Sequence, residues 1–138
     1  NRKQIFYRNT IRKNILIYFH TIFMTELDTP IFKKTYDLYK LLYSYRTTIP
    51  KSDRYGIWQK CETATLNVLE DIMLAGQKYQ ADKLPTLNET SQQLNLARVF
   101  IRLAKEVRAI DIKKYTILQT IIDEIGRMLG GWIRSLTK

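Results

Sequence analysis

The sequence predicts an all-α protein that folds as an up-down-up-down four-helix bundle. Apolar residues recur at three- and four-residue steps over four long stretches, as expected for helices with one buried face. Only five Gly and three Pro interrupt the 138 residues. Four helices joined by short loops pack most simply with neighbours antiparallel. A chain of this length supports one domain with one core.

The composition indicates a folded, basic protein. Hydrophobic residues make up 45% of the chain, which argues against disorder. Cys61 is the only cysteine, so no internal disulfide can form, and we expect a cytoplasmic location. The net charge of +10 favours an anionic partner, either nucleic acid or a membrane surface.

Residues 1–23 differ from the rest of the chain. Their apolar run, residues 15–23, is too short to span a bilayer, and no small-residue cleavage site follows it. A basic helix at a membrane interface is the alternative. We interpret residues 1–23 as a basic extension upstream of a true start at Met24, with residues 24–138 as the bundle domain. Removing the five basic residues of the extension leaves 18 Lys and Arg against 13 acids, a net charge of +5. Those five are Arg2, Lys3, Arg8, Arg12 and Lys13.

The first bundle helix is predicted to begin at Thr29-Pro30, because Thr suits an N-cap and Pro suits the first helical position. It should end near Thr48, since the residue before Pro50 disfavours helix. The predicted buried stripe is Ile31, Thr35, Leu38, Leu42 and Tyr45. Four tyrosines of this helix are expected to line the core, with nucleobase stacking as the alternative. They are Tyr36, Tyr39, Tyr43 and Tyr45.

The second helix is predicted from about Arg54 to Tyr79. Its apolar residues step by three and four in a nearly sustained seven-residue repeat, which is typical of a bundle seam. The seam is Ile57, Cys61, Ala64, Val68, Ile72, Ala75 and Tyr79. Cys61 is therefore interpreted as a small core residue and not as a nucleophile. Pro85, within Lys83-Leu84-Pro85-Thr86, is predicted to break the pattern.

The third helix is predicted from about Leu87 to Ala109, and its faces differ. Its larger apolar residues share the arc predicted to be the core, namely Leu96, Val99, Phe100, Leu103, Val107 and Ile110. Arg98, Arg102 and Lys105 lie on the opposite arc, where a basic row suits phosphate contacts, although an ordinary solvated face is the alternative. A flank holds Leu94, Ala97, Ile101 and Ala104, with Arg108 among them, and is predicted to contact another subunit.

The fourth helix is predicted to begin after a cap at Asp111 and to end near Ser135. Its buried face is Leu118, Ile122, Ile125, Leu129 and Trp132, and Arg127 and Arg134 share one side two turns apart. Three glycines lie in or beside this face, namely Gly126, Gly130 and Gly131. Gly inside a helix costs about 1 kcal/mol against Ala. The glycines therefore indicate either the close approach of a neighbour, including another copy of the chain, or a C-cap at Gly130-Gly131.

The inventory of reactive side chains argues against catalysis. His20 is the only histidine, and no His/Cys cluster or Glu-x-x-His pair has metal-binding spacing. Adjacent carboxylates, such as Glu70-Asp71 and Asp123-Glu124, diverge on their helices. We expect no enzymatic activity, no metal site and no cofactor.

Two motifs resemble a known family. The stretch from Glu124 to Ile133, EIGRMLGGWI, is similar to the C-terminal signature of Avd, the accessory variability proteins of diversity-generating retroelements. The loop from Pro50 to Tyr55 resembles Avd and the related four-helix-bundle proteins encoded in rRNA intervening sequences. The resemblance covers roughly residues 29–132, and the extension before Met24 departs from it.

The resemblance implies a homopentamer of four-helix bundles that has no catalytic activity. Its basic surface would bind the reverse transcriptase and template RNA or cDNA in support of mutagenic retrohoming. The basic residues assigned to that surface are Arg98, Arg102, Lys105, Arg108, Arg127, Arg54, Lys51 and Arg134. The residues assigned to the oligomer interface are Leu94, Ala97, Ile101, Gly126, Gly130, Gly131 and Trp132. Two alternatives remain: an RNA-associated bundle of the rRNA intervening-sequence type without a reverse-transcriptase partner, and a purely structural oligomeric bundle.

Overall fold

The computed structural model describes the backbone of residues 2–137 and the side chains of residues 2–18, 20 and 28–137. All regular secondary structure in this range is helical, which confirms the predicted fold class. The helices are α1 (Arg2–Leu27), α2 (Pro30–Tyr45), α3 (Lys51–Arg54), α4 (Ile57–Gln77), α5 (Gln80–Glu106) and α6 (Ile112–Leu136). A 3-10 turn, Arg46–Thr48, follows α2.

The four helices α2, α4, α5 and α6 enclose one apolar core. Helix α2 packs against α4 and α6, and α5 packs against the same two helices. Trp58 of α4 is fully buried, and its indole Nε1 donates a hydrogen bond to the Leu42 carbonyl of α2 at 3.2 Å. A buried indole adds a large apolar area to the core, and the hydrogen bond of its N–H avoids the free-energy cost of an unpaired buried donor. The up-down order of the helices and the pentamer stay predictions.

The predicted limits of the first bundle helix are confirmed. Thr29 is the extended N-cap residue, and Pro30 occupies the first helical position. Helix α2 and the 3-10 turn together end at Thr48, and Ile49 is extended, as expected for a residue that precedes proline. The predicted stripe is also confirmed from Ile31 to Leu42, while Tyr45 is half-buried.

The predicted seam of the second bundle helix is confirmed from Cys61 to Ala75, all of whose members are buried. Its last member, Tyr79, was placed wrongly, because α4 ends at Gln77 and the side chain of Tyr79 is 87% exposed. Tyr79 is instead the extended residue that precedes α5.

Pro85 does not interrupt the helix, although the sequence predicted a break at this position. Helix α5 begins at Gln80 and continues through Pro85, its sixth residue. The missing N–H leaves only the carbonyl of the exposed Ala81 without its helical partner, and water can reach that turn. Lys78 Nζ donates to Thr86 Oγ1 at 2.5 Å, and Lys83 Nζ donates to the Gly76 carbonyl at 3.3 Å, so side chains tie this turn to the end of α4.

The predicted core arc of the third bundle helix is wrong for four of its six members, while Ile110 is buried and Phe100 is half-buried against the core. The buried face of α5 contains Leu94, Ala97, Ile101 and Ala104, of which none is more than 2% exposed. The larger apolar residues face outward, with exposed fractions from 41% to 58%. They are Leu96, Val99, Leu103 and Val107, hereafter the outer row. The two alanines of this face, Ala97 and Ala104, leave room for the neighbouring helices α4 and α6 to pack against α5. The packing of the helices therefore decides which face of α5 is buried, and the hydrophobicity of the side chains does not.

Helix α6 runs without interruption from Ile112 to Leu136. The C-cap interpretation of Gly130-Gly131 is therefore wrong, because the helix continues for five residues beyond Gly131. The predicted cap at Asp111 is confirmed: its carboxylate accepts a hydrogen bond from the Lys114 backbone N–H at 2.8 Å. The predicted buried face is confirmed from Leu118 to Leu129, and Trp132 is half-buried.

Helix α1 precedes the bundle. Its described side chains up to Tyr18 are exposed. The predicted start at Met24 falls among side chains outside the described set, so that boundary stays a prediction. Within the described residues, no helix combines the length and apolar content needed to cross a membrane.

Candidate nucleic-acid interface

The basic row of α5 lies on the flank that faces α6, and each of its cations has a partner within the chain. Arg98 forms an ion pair with Asp123 of α6. Arg102 Nε lies 3.1 Å from Glu106 Oε1, one turn along α5. Lys105 Nζ lies 4.2 Å from the centre of the Tyr115 ring. An anionic ligand at this row therefore competes with internal partners.

Arg54, in the loop that carries the second family motif, has a structural role. Its Nε donates to the Ile49 carbonyl at 3.0 Å, and its Nη2 donates to the Thr47 carbonyl at 3.1 Å. These bonds close the turn between α2 and α4. Lys51 begins α3 and is exposed. Of these two predicted binding residues, Lys51 therefore offers its charge to solvent, while the guanidinium of Arg54 is engaged by backbone carbonyls.

Arg108 is positioned by its backbone. It has a φ of 64°, in the left-handed region, where the chain turns from α5 towards α6. The Ala109 N–H donates to the Ala104 carbonyl at 2.8 Å, which is the bond of a Schellman-type helix end. A residue other than Gly costs about 1–2 kcal/mol in this region. Arg108 and Lys105 line a shallow cavity of about 550 Å³ at this end of the bundle.

Arg127 and Arg134 lie along a groove between α5 and α6, which Arg98 also lines. The groove has a volume of about 520 Å³. Neither Arg127 nor Arg134 forms an ion pair with the described part of the chain, unlike Arg98. The structure thus joins three predicted binding residues from two helices in one groove, hereafter the α5–α6 groove.

Two tyrosines that were expected in the core are exposed. Tyr36 and Tyr43 lie seven residues apart on the outer side of α2, off its buried stripe. Lys40 Nζ lies 5.7 Å from the centre of the Tyr36 ring, and the Arg46 guanidinium carbon lies 5.6 Å from that of Tyr43. The positions of Tyr36 and Tyr43 in the sequence, off the buried stripe of α2, already indicate exposure. The prediction grouped them with the other tyrosines of the helix and therefore placed them in the core.

The residues predicted for the oligomer interface fall into different environments. Leu94, Ala97 and Ile101 are buried in the core of the single chain, each with no more than 2% exposure. Trp132 is half-buried beside a cavity of about 290 Å³, with Lys83 Nζ 5.7 Å from its ring centre. Their interface roles stay predictions. The exposed apolar surface of α5 is instead the outer row.

The described residues contain no group of three His, Cys, Asp or Glu side chains that could hold a metal ion. The Cys61 thiol is buried, and burial raises its pKa from 9.0 to about 12. A thiol that stays protonated at neutral pH is a poor nucleophile. Cys61 therefore acts as a packing residue, as predicted from its place in the seam.

The same thiol makes stability depend on alkaline pH. In the unfolded chain it ionises near pH 9.0, whereas in the folded chain it stays protonated up to about pH 12. The unfolded state therefore loses its proton first. The contribution of Cys61 to the free energy of unfolding is complete below pH 9 and decreases by up to about 1.4 kcal/mol per pH unit above it. Urea unfolding of the wild type and a Cys61→Ala variant should show the flatter alkaline slope in the variant. Equal slopes would contradict a buried thiol.

The comparison with known proteins identifies the family. No curated protein matches the chain. The family model described as bAvd-like matches residues 30–136, which are the residues from the first turn of α2 to the last of α6. This range covers more than half of the chain and contains the whole α5–α6 groove and the outer row. The protein therefore belongs to the bAvd-like family.

Proposed function

We propose that this protein is a non-catalytic accessory protein of a diversity-generating retroelement. It binds the reverse transcriptase of the element and template RNA or cDNA through its basic surface, and it supports mutagenic retrohoming. The observation that carries the proposal is the bAvd-like family match over residues 30–136.

The charge distribution supports a polyanionic ligand. Basic side chains of α5, α6 and their connecting turn lie on adjoining surfaces, including Arg98, Arg127 and Arg134 in the α5–α6 groove and Lys105 and Arg108 beside the turn. A protein that neutralises phosphates releases their counterions, so its affinity falls with salt by a slope of about −0.7 per contact on a single strand. We expect sequence-tolerant binding with such a dependence.

The outer row supports assembly. Four large apolar side chains follow one another at three- and four-residue steps on the side of α5 that faces away from the core. An apolar strip of this kind usually marks a protein–protein contact. We assign it to the contact between copies of this chain, and we expect the bundle to be a homo-oligomer, with a pentamer as the form the family resemblance implies.

The contact with the reverse transcriptase can be direct or bridged by RNA, because two basic proteins repel unless an anion or a complementary patch joins them. A pull-down of the reverse transcriptase, with and without exhaustive nuclease treatment, separates these cases. We expect capture that survives nuclease and that decreases for the variant in which Arg98, Arg102 and Lys105 are all replaced by Ala. A matched control replaces Lys33, Lys40 and Lys60 of α2 and α4, which removes the same charge elsewhere.

Each result has a distinct meaning. Loss of capture after nuclease makes the protein an RNA-binding module without direct polymerase contact, as in the rRNA intervening-sequence alternative. Equal loss in both triple variants contradicts a specific face. No capture under either condition, from a protein with normal helicity by circular dichroism, contradicts the accessory role and leaves a structural bundle.

A further inference from the structure

The α5–α6 groove combines an apolar floor with basic walls. Its floor is apolar, formed by Leu94 and Leu129, each 2% exposed. Its walls carry the guanidinium groups of Arg98, Arg127 and Arg134 and the single carboxylate of Asp123. The formal charge of these four side chains is +2. Such a site attracts an anion without holding enough carboxylate to satisfy all three arginines.

Two glycines allow the arginines to approach the α6 backbone. A Cβ atom at Gly126 would lie 3.4 Å from Arg98 Nη2 and 3.7 Å from Leu94 Cδ2. At Gly130 it would lie 3.3 Å from Arg134 Nη1, closer than most real Cβ contacts. At Gly131 the nearest such atom, Arg134 Nη2, lies 3.9 Å away, at ordinary contact distance. Gly126 and Gly130 therefore border the groove directly, and Gly131 lies at its margin.

The arginines of the groove have unequal partners. Arg98 is paired with Asp123 across the groove, whereas Arg127 and Arg134 lack ion pairs within the described residues. Arg127 and Arg134 are seven residues apart on α6, or about 10.5 Å along the helix axis at 1.5 Å per residue. This separation allows the two guanidinium groups to bind separate phosphates along an extended strand.

We infer that the α5–α6 groove holds the phosphate backbone of a single-stranded nucleic acid, and that Asp123 is a built-in competitor for this ligand. Arg127 and Arg134 bind phosphates without losing an internal partner. Arg98 already donates through Nη1 to Asp123, so a phosphate there competes with a carboxylate for a guanidinium whose charge is partly neutralised. Asn95 and Ser91, which also line the groove, offer neutral donors to the same backbone. The inference rests on the proposed nucleic-acid role and assigns it to a defined site.

The inference predicts opposite effects from two kinds of substitution. Replacing Arg127 and Arg134 together by Ala should weaken binding of a uridine oligonucleotide and reduce the salt slope by about 1.4, since each single-strand phosphate contact contributes about 0.7. Asp123→Asn should tighten binding by up to about fivefold, because it removes a competing ion pair of ordinary surface strength. Fluorescence anisotropy of the full chain across a salt series measures both effects.

The matched controls distinguish binding in this groove from non-specific attraction by the net positive charge of the protein. The Lys40→Ala/Lys60→Ala variant removes two charges from other helices and should leave the salt slope within about 0.3 of the wild type. Glu106→Gln removes the carboxylate paired with Arg102 outside the groove, and it should not reproduce the gain seen with Asp123→Asn. Gly130→Leu should weaken binding more than Gly131→Leu, because only the former pushes a side chain into the groove.

The outcomes also separate this inference from the proposed function. If the wild type binds the oligonucleotide but the Arg127/Arg134 variant keeps its slope, the groove is not the site, although the nucleic-acid role stands. If the wild type binds no RNA or DNA strand, both are overturned. Binding of poly-glutamate as tight as that of the oligonucleotide would identify an acidic-peptide site instead. Dissociation of the oligomer by Gly130→Leu, with unchanged oligonucleotide binding, would assign the groove to a second copy of the chain.

Discussion

Replacing Val99 and Leu103 by Asp should convert the assembled protein into folded monomers. Both residues belong to the outer row, and their side chains are 58% and 41% exposed in the single chain. Burying a carboxylate against apolar surface without a partner costs several kcal/mol, and this variant places two such carboxylates in every copy. Helicity should persist, because neither side chain contributes to the core. Light scattering and circular dichroism at micromolar concentration measure the two properties.

A matched variant tests whether the position matters. Leu66 and Leu74 of α4 are also large and apolar, with 42% and 45% exposure. The Leu66→Asp/Leu74→Asp variant introduces the same charge on another helix and should keep the oligomer. Dissociation of both variants would point to net charge as the cause. If the Val99→Asp/Leu103→Asp variant still assembles, the outer row is not part of the interface. If the wild-type protein is monomeric, the proposal that the protein assembles is wrong.

Arg46→Met should destabilise the bundle by about 3 kcal/mol. Arg46 Nε lies 3.2 Å from Glu62 Oε1, and Glu62 is only 4% exposed. The second oxygen of this carboxylate, Oε2, accepts no hydrogen bond from the described residues. Removing the arginine leaves a buried charge without a partner, which typically costs about 3–5 kcal/mol, and the partial exposure of Arg46 reduces the loss. Urea unfolding provides the measurement.

The control for this prediction is the ion pair between Arg102 and Glu106. Its Nε–Oε1 distance of 3.1 Å is nearly the same, but both side chains are more than half exposed. Arg102→Met should therefore cost no more than about 0.5 kcal/mol. Adding Glu62→Gln to Arg46→Met should restore part of the stability, since it removes the buried charge. A loss that Glu62→Gln does not relieve would show that the contact between the Arg46 guanidinium and the Tyr43 ring is responsible instead.

The sequence was sufficient to predict the helices whose buried face is continuous and unambiguous. In α4 and α6 one apolar stripe recurs over most of the helix, and most of its members are buried as predicted. In α5 two apolar rows run in parallel. Hydrophobicity favours the row with Val99 and Leu103, but the core contains Ala97 and Ala104, because the neighbouring helices approach that side closely. Interhelical distance is a tertiary property that one helical wheel does not contain.

The candidate site was predicted in its residue types but not in its arrangement. The sequence places Arg98 and Arg127 on different helices and the glycines near a helix face. Only the packing of α5 on α6 brings Arg98, Arg127 and Gly126 to one groove. Partners across helices were equally inaccessible: the pairing of Arg98 with Asp123 depends on the rotation of both helices. Local rules such as the Asp111 cap were correct because they depend on neighbours in sequence.

The internal pairing of the basic row has a consequence for selectivity. A ligand with isolated carboxylates offers Arg98, Arg102 or Lys105 little that Asp123, Glu106 or Tyr115 does not already supply. A polymer with closely and regularly spaced charges can replace several of these partners together, and each replacement makes the next one easier because the strand is already held nearby. If this face binds nucleic acid as proposed, it should favour ligands with a high linear density of charge, because sparsely charged anions would not displace the internal partners.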